Sequence, residues 1–188
     1  MTRIIAGSAK GRKLEVPKKG TRPTSDRVRE ALFSMAESAV SLRGAAVLDL
    51  YAGSGALALE AMSRGAESAV LVEASRAAAT TAKRNVSHLG FAGSARVVVA
   101  SVEQFLQSKS GPFNIVFLDP PYSLSNADLE GVLARVVGVL EDPGLVVVER
   151  PSKEGQPLLP AGLEVLKTRK WGTTSAWFLT TAAEGEEE

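Results

Sequence analysis

The pattern of apolar and polar positions changes character near residue 46. Upstream, Val28, Leu32, Met35 and Ala36 recur at helical spacing, and either Thr24 or Ser25 is placed to cap the helix they predict. Ile4-Ile5 and Leu14-Glu15-Val16 flank the turn region Gly7-Ser8-Ala9-Lys10-Gly11, which predicts a short hairpin over 3–16. Pro17 to Pro23 reads as an exposed connector. Downstream, buried runs alternate with amphipathic ones. The runs predict strands at Ala46–Leu50, Ala69–Val72, Arg96–Ala100, Phe113–Leu118 and Leu145–Glu149. Helices are expected between them at Ala56–Arg64, Arg76–Leu89, Val102–Gln107 and Ala127–Leu140, with Ser75 opening the second and Gly90 closing it. Such alternation builds a doubly wound, mostly parallel α/β sheet. After Pro151 the order breaks, and Leu163–Trp171 and Ser175–Thr181 flank a Gly172-Thr173-Thr174 turn as a terminal antiparallel pair. The expectation is a Rossmann-like sheet of seven strands with a small hairpin and helix before it.

Composition narrows the chemistry. At 188 residues the chain suits one α/β domain with a short appendage. It contains no cysteine, which removes disulfides, thiolate metal sites and any mechanism built on a Cys nucleophile; no metal is expected. The polar, basic leader has no apolar run of signal-peptide or membrane-helix length, so a cytoplasmic protein is expected. A net charge of +1 conceals a polarised distribution: residues 1–29 hold nine Lys or Arg against Glu15 and Asp26, while the chain ends in Glu184-Gly185-Glu186-Glu187-Glu188. Residues 1–40 are therefore read as a basic extension, 41–183 as the α/β domain and 184–188 as an acidic tail. Such an extension either contacts phosphates or is a solvated leader. Arg22, Arg27 and Arg29 gather near the helix's positive end, a tension that an anionic phosphate would relieve.

Chemistry-bearing residues collect where strands meet turns. Asp119-Pro120-Pro121-Tyr122 follows the run Phe113–Leu118. Two prolines fix the backbone and leave carbonyl oxygens free, Asp119 adds carboxylate oxygens and Tyr122 a flat ring. That surface suits a planar base carrying an amine, although it also serves simply to end a strand. Asp49-Leu50-Tyr51-Ala52-Gly53-Ser54-Gly55-Ala56 ends the first parallel strand in a glycine turn that opens a helix, with Glu73 at the end of the next strand. The spacing also fits a nicotinamide dinucleotide fingerprint, and in either case Glu73 is placed to accept from ribose hydroxyls. Asp49 separates the two readings, since an acid there repels a pyrophosphate but suits an ammonium and a sulfonium. Ser101 is placed to bond an adenine edge and Val102 to pack on the ring, though Ser101 is equally a helix cap. His88 reads as a helix-terminal residue, Trp171 and Trp177 as packing residues with RNA stacking by one of them the alternative, and Glu149-Arg150 as either cleft lining or a strand-end ion pair.

Asp49 to Gly55, Glu73 and Asp119 to Tyr122, in this order, resemble the class I S-adenosylmethionine-dependent methyltransferases of exocyclic amines. Arg3-Ile4-Ile5-Ala6-Gly7, Lys10-Gly11-Arg12, Arg22-Pro23-Thr24 and Arg27-Val28-Arg29-Glu30-Ala31-Leu32-Phe33 are similar to the leader of the RsmD family, bacterial 16S ribosomal RNA guanine-N2 methyltransferases. The resemblance implies S-adenosylmethionine bound by Asp49, Tyr51, Gly53, Gly55, Glu73, Ser101 and Val102. It implies catalysis by Asp119, Pro120 and Tyr122, and rRNA contact by Arg3, Lys10, Arg12, Arg22, Thr24, Arg27 and Arg29. The partner implied is 16S rRNA in an assembling small subunit, met by a monomer. Ser101 departs from the Asp or Asn often found at that place. An adenine-N6 methyltransferase shares the Asp-Pro-Pro-Tyr turn, and a noncatalytic RNA-binding module with a retained cofactor site is the reading from another class.

Overall fold

Alternating runs become one sheet of seven strands in the computed structural model, which describes residues 2–17, 25–108 and 110–182. The chain enters through the short antiparallel pair β1 (Thr2–Arg3) and β2 (Lys13–Leu14), followed by α1 (Asp26–Ala39). Next come β3 (Ala46–Leu50), α2 (Ala56–Ser63), β4 (Ser68–Glu73), α3 (Arg76–His88) and β5 (Ala95–Val99). The rest is α4 (Val102–Gln107), β6 (Phe113–Leu118), α5 (Asn126–Val137), β7 (Leu140–Pro151), β8 (Leu163–Trp171) and β9 (Thr174–Thr181). Strand order is β5-β4-β3-β6-β7-β9-β8, with β5 through β7 parallel and β9 and β8 antiparallel. The chain reverses direction across the sheet between β3 and β6, where open α/β sheets bind ligands.

The two faces of the sheet are packed by different helices. Val47, Leu71, Ile115, Phe117 and Val147 face α1, α2 and α3; Leu48, Leu50, Val116, Leu118 and Val148 face α4 and α5. Leu32, Phe33 and Ala36 of α1 are fully buried, and the Phe33 and Phe117 rings meet at 5.4 Å. Burial of the Leu32 and Phe33 side chains stabilises by roughly 1.5–3 kcal/mol each, so α1 is held as part of the domain.

Serine caps set the helix starts: Ser25, Ser75, Ser101 and Ser125 each accept a backbone N–H of the first turn. Ser125 starts α5 one residue earlier than the apolar pattern suggests, and Gly138 ends it early. Leu140, expected as the helix's last residue, instead pairs with Phe113 and opens β7. The leading hairpin also differs, since its paired residues are only Thr2–Arg3 with Lys13–Leu14. Ile5 and Ala6 spend their N–H groups elsewhere, donating to buried Glu60 on α2 at 2.8 and 3.0 Å. Ser63 accepts from Ala9 at 2.9 Å and donates to the Ala6 carbonyl at 2.6 Å. Gly7, at φ +82°, lies so close that a Cβ would fall 1.8 Å from the Ser63 carbonyl oxygen. The connector 18–24, with Arg22 and Thr24, and the acidic tail lie outside the described residues. Among the described residues no helix is long and apolar enough to cross a membrane.

Candidate active site

Parallel register brings the strand-end acids together. Asp49 pairs with Phe117 and Leu50 with Leu118, so Asp119 emerges one step past the paired ends, beside Tyr51. Asp49 points toward α2, where its Oδ2 accepts from the Ala58 N–H at 3.1 Å. Gly55, the N-cap residue, has no side chain to cap with, so the acid from the preceding strand satisfies a first-turn donor. Gly55 sits at φ +81°, and a Cβ there would meet Leu71 Cδ2 at 2.5 Å. Glu73 closes the turn from the neighbouring strand: its Oε2 accepts from Gly53 N–H at 2.9 Å and its Oε1 from Ser75 N–H at 2.7 Å. Each oxygen keeps a further lone pair for another donor.

Tyr51 is held at φ +63°, the left-handed region that non-glycine residues rarely occupy. Its buried hydroxyl has no hydrogen-bond partner, and burial, with the negative charges of Glu103 and Asp128, pushes its pKa up to about 12. Strain of this kind, on the order of 1–3 kcal/mol, collects at ligand sites.

Electrostatically the three acids are in tension. Asp49 is 1% exposed; burial pushes its carboxyl up to about 7 against the Ala58 hydrogen bond, helped by the charges of Asp119 and Glu73. Asp119 retains open surface toward the cleft, yet the walls crowd it and the loss of water pushes it up to about 6. Among the described residues none of the three forms an ion pair with Lys or Arg. A cationic ligand fits this place.

Beside them opens a cleft of about 380 Å³ lined by Asp119, Tyr122, Glu149, Arg150, Ser25 and Val28 of α1, and Trp171 to Thr174. Asp119 and Glu149 continue the face of Phe117 and Val147. Tyr122 is 63% exposed on the cleft, whereas Pro120 is buried beneath the turn. Arg150 is 3% exposed and donates to the Leu124 carbonyl at 2.9 Å, pinning the far end of the Tyr122 loop. Sequence reasoning left Glu149 and Arg150 between two roles and passed over Ser25, Val28 and the β8–β9 turn. The charged pair ending an apolar strand is the signal that finds the first two; the others come together only through the fold.

Other expected residues are placed less favourably for their roles. Ser101 is engaged in a reciprocal cap with Gln104, and Val102 is 4% exposed in the core facing α4 and α5, which leaves it little surface for an adenine ring. Arg29 requires correction. It is 1% exposed and donates to Asp26 Oδ1 at 2.8 Å and the Arg3 carbonyl at 2.6 Å, so it is an internal tie and presents no charge to a phosphate. Arg3, Lys10, Arg12 and Arg27 are exposed, and Arg3, Lys10 and Arg27 share a groove of about 330 Å³ with Asp26 and Glu30. Arg12 donates to the carbonyl of His88, an exposed helix-terminal residue. Burial opposes it, but hydrogen bonds from Arg3 and Arg29 hold the Asp26 carboxyl below its ordinary value. Trp171 is half-buried on the cleft wall; Trp177 packs on the opposite face. Among the described residues no group of acids and histidines is placed to hold a metal ion.

The family model described as conserved hypothetical protein 95 matches residues 2–180. Ribosomal RNA small subunit methyltransferase D of Escherichia coli K12 is 40% identical over 193 residues, spanning 99% of this chain and 93% of that protein. The solved structure of yhhF from Escherichia coli superposes with a TM-score of 0.86 at 38% identity, covering 97% of this chain and 98% of that one. SMU.776, crystallised with SAH, shares the fold at a TM-score of 0.68 and 16% identity, over 83% of this chain and 49% of its own. A leader docked on α2, a glycine turn between two strand-end acids and an Asp-Pro-Pro-Tyr turn over a cleft are thus carried on one chain whose near-full length matches, and it belongs to the conserved hypothetical protein 95 family, the RsmD family.

Proposed function

We propose that this chain transfers the methyl group of S-adenosylmethionine to the exocyclic 2-amino group of a guanine in 16S rRNA, by direct displacement. The observation that carries the reading is the cleft at the mouths of β6 and β7, where Asp119 and Glu149 present acceptors beside the cation-seeking acids of β3 and β4. The 2-amino group and N1–H of guanine are neighbouring donors and suit two carboxylates. Adenine offers a donor beside the bare N1 lone pair, which a second carboxylate repels, so the adenine-N6 alternative fits this cleft less well. A nicotinamide dinucleotide fits the acids poorly, because its pyrophosphate would meet Asp49.

Bound S-adenosylmethionine supplies an electrophilic methyl on a sulfonium. In this reading Asp49, buried beneath the glycine turn, attracts its ammonium by charge, Glu73 accepts from its ribose hydroxyls, and the backbone around Gly53 and Gly55 permits close approach. An exocyclic amine is a poor nucleophile because its lone pair is shared with the ring. Asp119 and the Pro120 carbonyl would accept hydrogen bonds from its two N–H groups, turn the lone pair toward the methyl and hold it there. Transfer would form the N–C bond as the S–CH3 bond breaks and leaves a neutral thioether, and the amine would shed one proton, which Asp119, raised to about 6, would take. Tyr122 stacks on the displaced base, a contact worth roughly 1–3 kcal/mol.

In the same reading residues 1–40 contact rRNA through Arg3, Lys10, Arg12 and Arg27, residues 41–183 carry the transfer, and a cytoplasmic monomer meets 16S rRNA in an assembling small subunit. The resemblance in the leader, the exposed cations of the groove and the 40% identity to a small-subunit rRNA methyltransferase support this. The test is mass mapping of methylated nucleosides in 16S rRNA from cells lacking this chain: loss of one N2-methylguanosine is expected, and an unaltered set of guanines overturns the reading. Asp119→Ala should keep cofactor affinity within about twofold while methyl transfer falls roughly 100- to 1000-fold. Unchanged turnover removes Asp119 from the mechanism.

A further inference from the structure

β8 is the outermost strand, paired only with β9. Lys167, Arg169 and Lys170 on it are exposed, and among the described residues none of them has an ion pair. The strand's single acid, Glu164, stands at its opposite end. Lys167 and Arg169 lie opposite Phe178 and Ala176, which puts them on the sheet face covered by α1; Lys170, opposite Ser175, leans to the other face. The cations therefore straddle the free edge over roughly 10 Å, about three nucleotides of a helical strand. The next residue, Trp171, and the turn after it form the cleft wall. Across the cleft stands the first turn of α1, with the groove of Arg3, Lys10 and Arg27 behind it.

We propose that the β8 edge is a second rRNA-binding surface, holding through Lys167, Arg169 and Lys170 the phosphodiester backbone of nucleotides that flank the target guanine. The inference rests on the proposed function and extends it, since the substrate strand then crosses the cleft from leader to edge and is gripped on both sides of the base. Lysines also protect edge strands from pairing with other chains. Edge protection does not require all three charges to sit at the end meeting the cleft, nor does it leave Leu166 beside them 50% exposed.

The measurement is kcat/KM for methyl transfer to small ribosomal subunits from cells lacking this chain, followed against KCl concentration. Replacing Lys167, Arg169 and Lys170 together by Gln should raise KM on the order of tenfold and make the slope of log kcat/KM against log salt shallower by about two to three. Cofactor affinity and kcat at saturating subunits should stay as in the wild type, and Lys167→Arg with Lys170→Arg should keep the wild-type slope. Should the triple variant not fold, each single Gln variant should flatten the slope by about one. An unchanged slope overturns the proposal, as does a variant that aggregates while its monomeric fraction keeps the wild-type KM, which assigns the charges to edge protection. If wild-type protein methylates no guanine in these subunits, the proposed function falls and this surface with it; if it does and the slope is unmoved, only this surface falls.

Discussion

Asp49 carries a conflict within one side chain, because it caps α2 from inside the core while burial and two neighbouring acids favour its neutral form. Its carboxyl is raised to about 7 in the folded chain, far above its value in an unfolded one. The native state therefore holds a proton that the unfolded state has lost between about pH 4 and pH 7, and the group's contribution to stability, full below that window, is lost as pH rises through about 7. Without cofactor, Asp49→Asn should be more stable than wild type at pH 8 by about 2–4 kcal/mol and nearly equal to it at pH 4. Urea denaturation at both pH values checks this, and a pH-independent difference would remove the buried charge as its cause. The proposed cofactor's ammonium reverses the preference, so its affinity should climb as pH rises from 6 to 8, with calorimetry detecting proton release on binding. An affinity that is flat across that range would separate Asp49 from the cofactor. Asp119, raised to about 6, should impose a second dependence: the single-turnover rate should rise through pH 6 and then level off.

Elements with a strong period were legible in the sequence, and those fixed by distant partners were not. β3, α4, β6 and β8 follow their predicted bounds because each is an apolar run or capped stretch bounded by residues that end it locally. The leading hairpin was misjudged in extent because Ile5 and Ala6 bond Glu60, a residue 55 positions away from Ile5 that no local pattern announces. Arg29 was read as a surface cation for a related reason, as its charge is visible in the sequence and its burial against Asp26 and the Arg3 carbonyl is not. The site divides similarly: Asp49, Glu73 and Asp119 end strands and could be picked out, whereas Trp171 and Val28 reach the cleft only because β8 and α1 fold over it. Two variants probe these ties. Gly7→Ala forces a Cβ into the Ser63 backbone at positive φ and should destabilise the chain by at least about 1–3 kcal/mol, with faster amide exchange at Ile5, Ala6 and Ala9. Arg29→Met should likewise loosen the leader yet leave the salt dependence of RNA binding as in wild type, while Arg27→Gln should flatten it by about one. Equal flattening by both would return Arg29 to the RNA surface.

Across the whole molecule a net charge of +1 is the residue of a separation. Three acids gather at the switch point between β3 and β6, where the proposed cofactor brings cations, and exposed cations stand on both rims of the neighbouring cleft, where the proposed rRNA substrate would bring phosphates. These surfaces differ in solvent access, and salt distinguishes them. The phosphate contacts proposed at Arg3, Lys10, Arg27 and the β8 edge would lie in water and release counterions, so subunit binding should weaken on the order of a hundredfold or more between 50 and 200 mM salt. Asp49 lies under the glycine turn at 1% exposure, where ions screen little, and cofactor affinity should change by about twofold at most over the same range. Calorimetry for the cofactor and subunit-dependent methyl transfer for the RNA measure the two slopes on one preparation. Parallel slopes would place the cofactor on the same exposed surface as the RNA and break the assignment of acids to one ligand and cations to the other. Divergent slopes would leave the boundary at Asp119, the one acid among the described residues that neighbours Asp49 on one side and lines the proposed base cleft on the other.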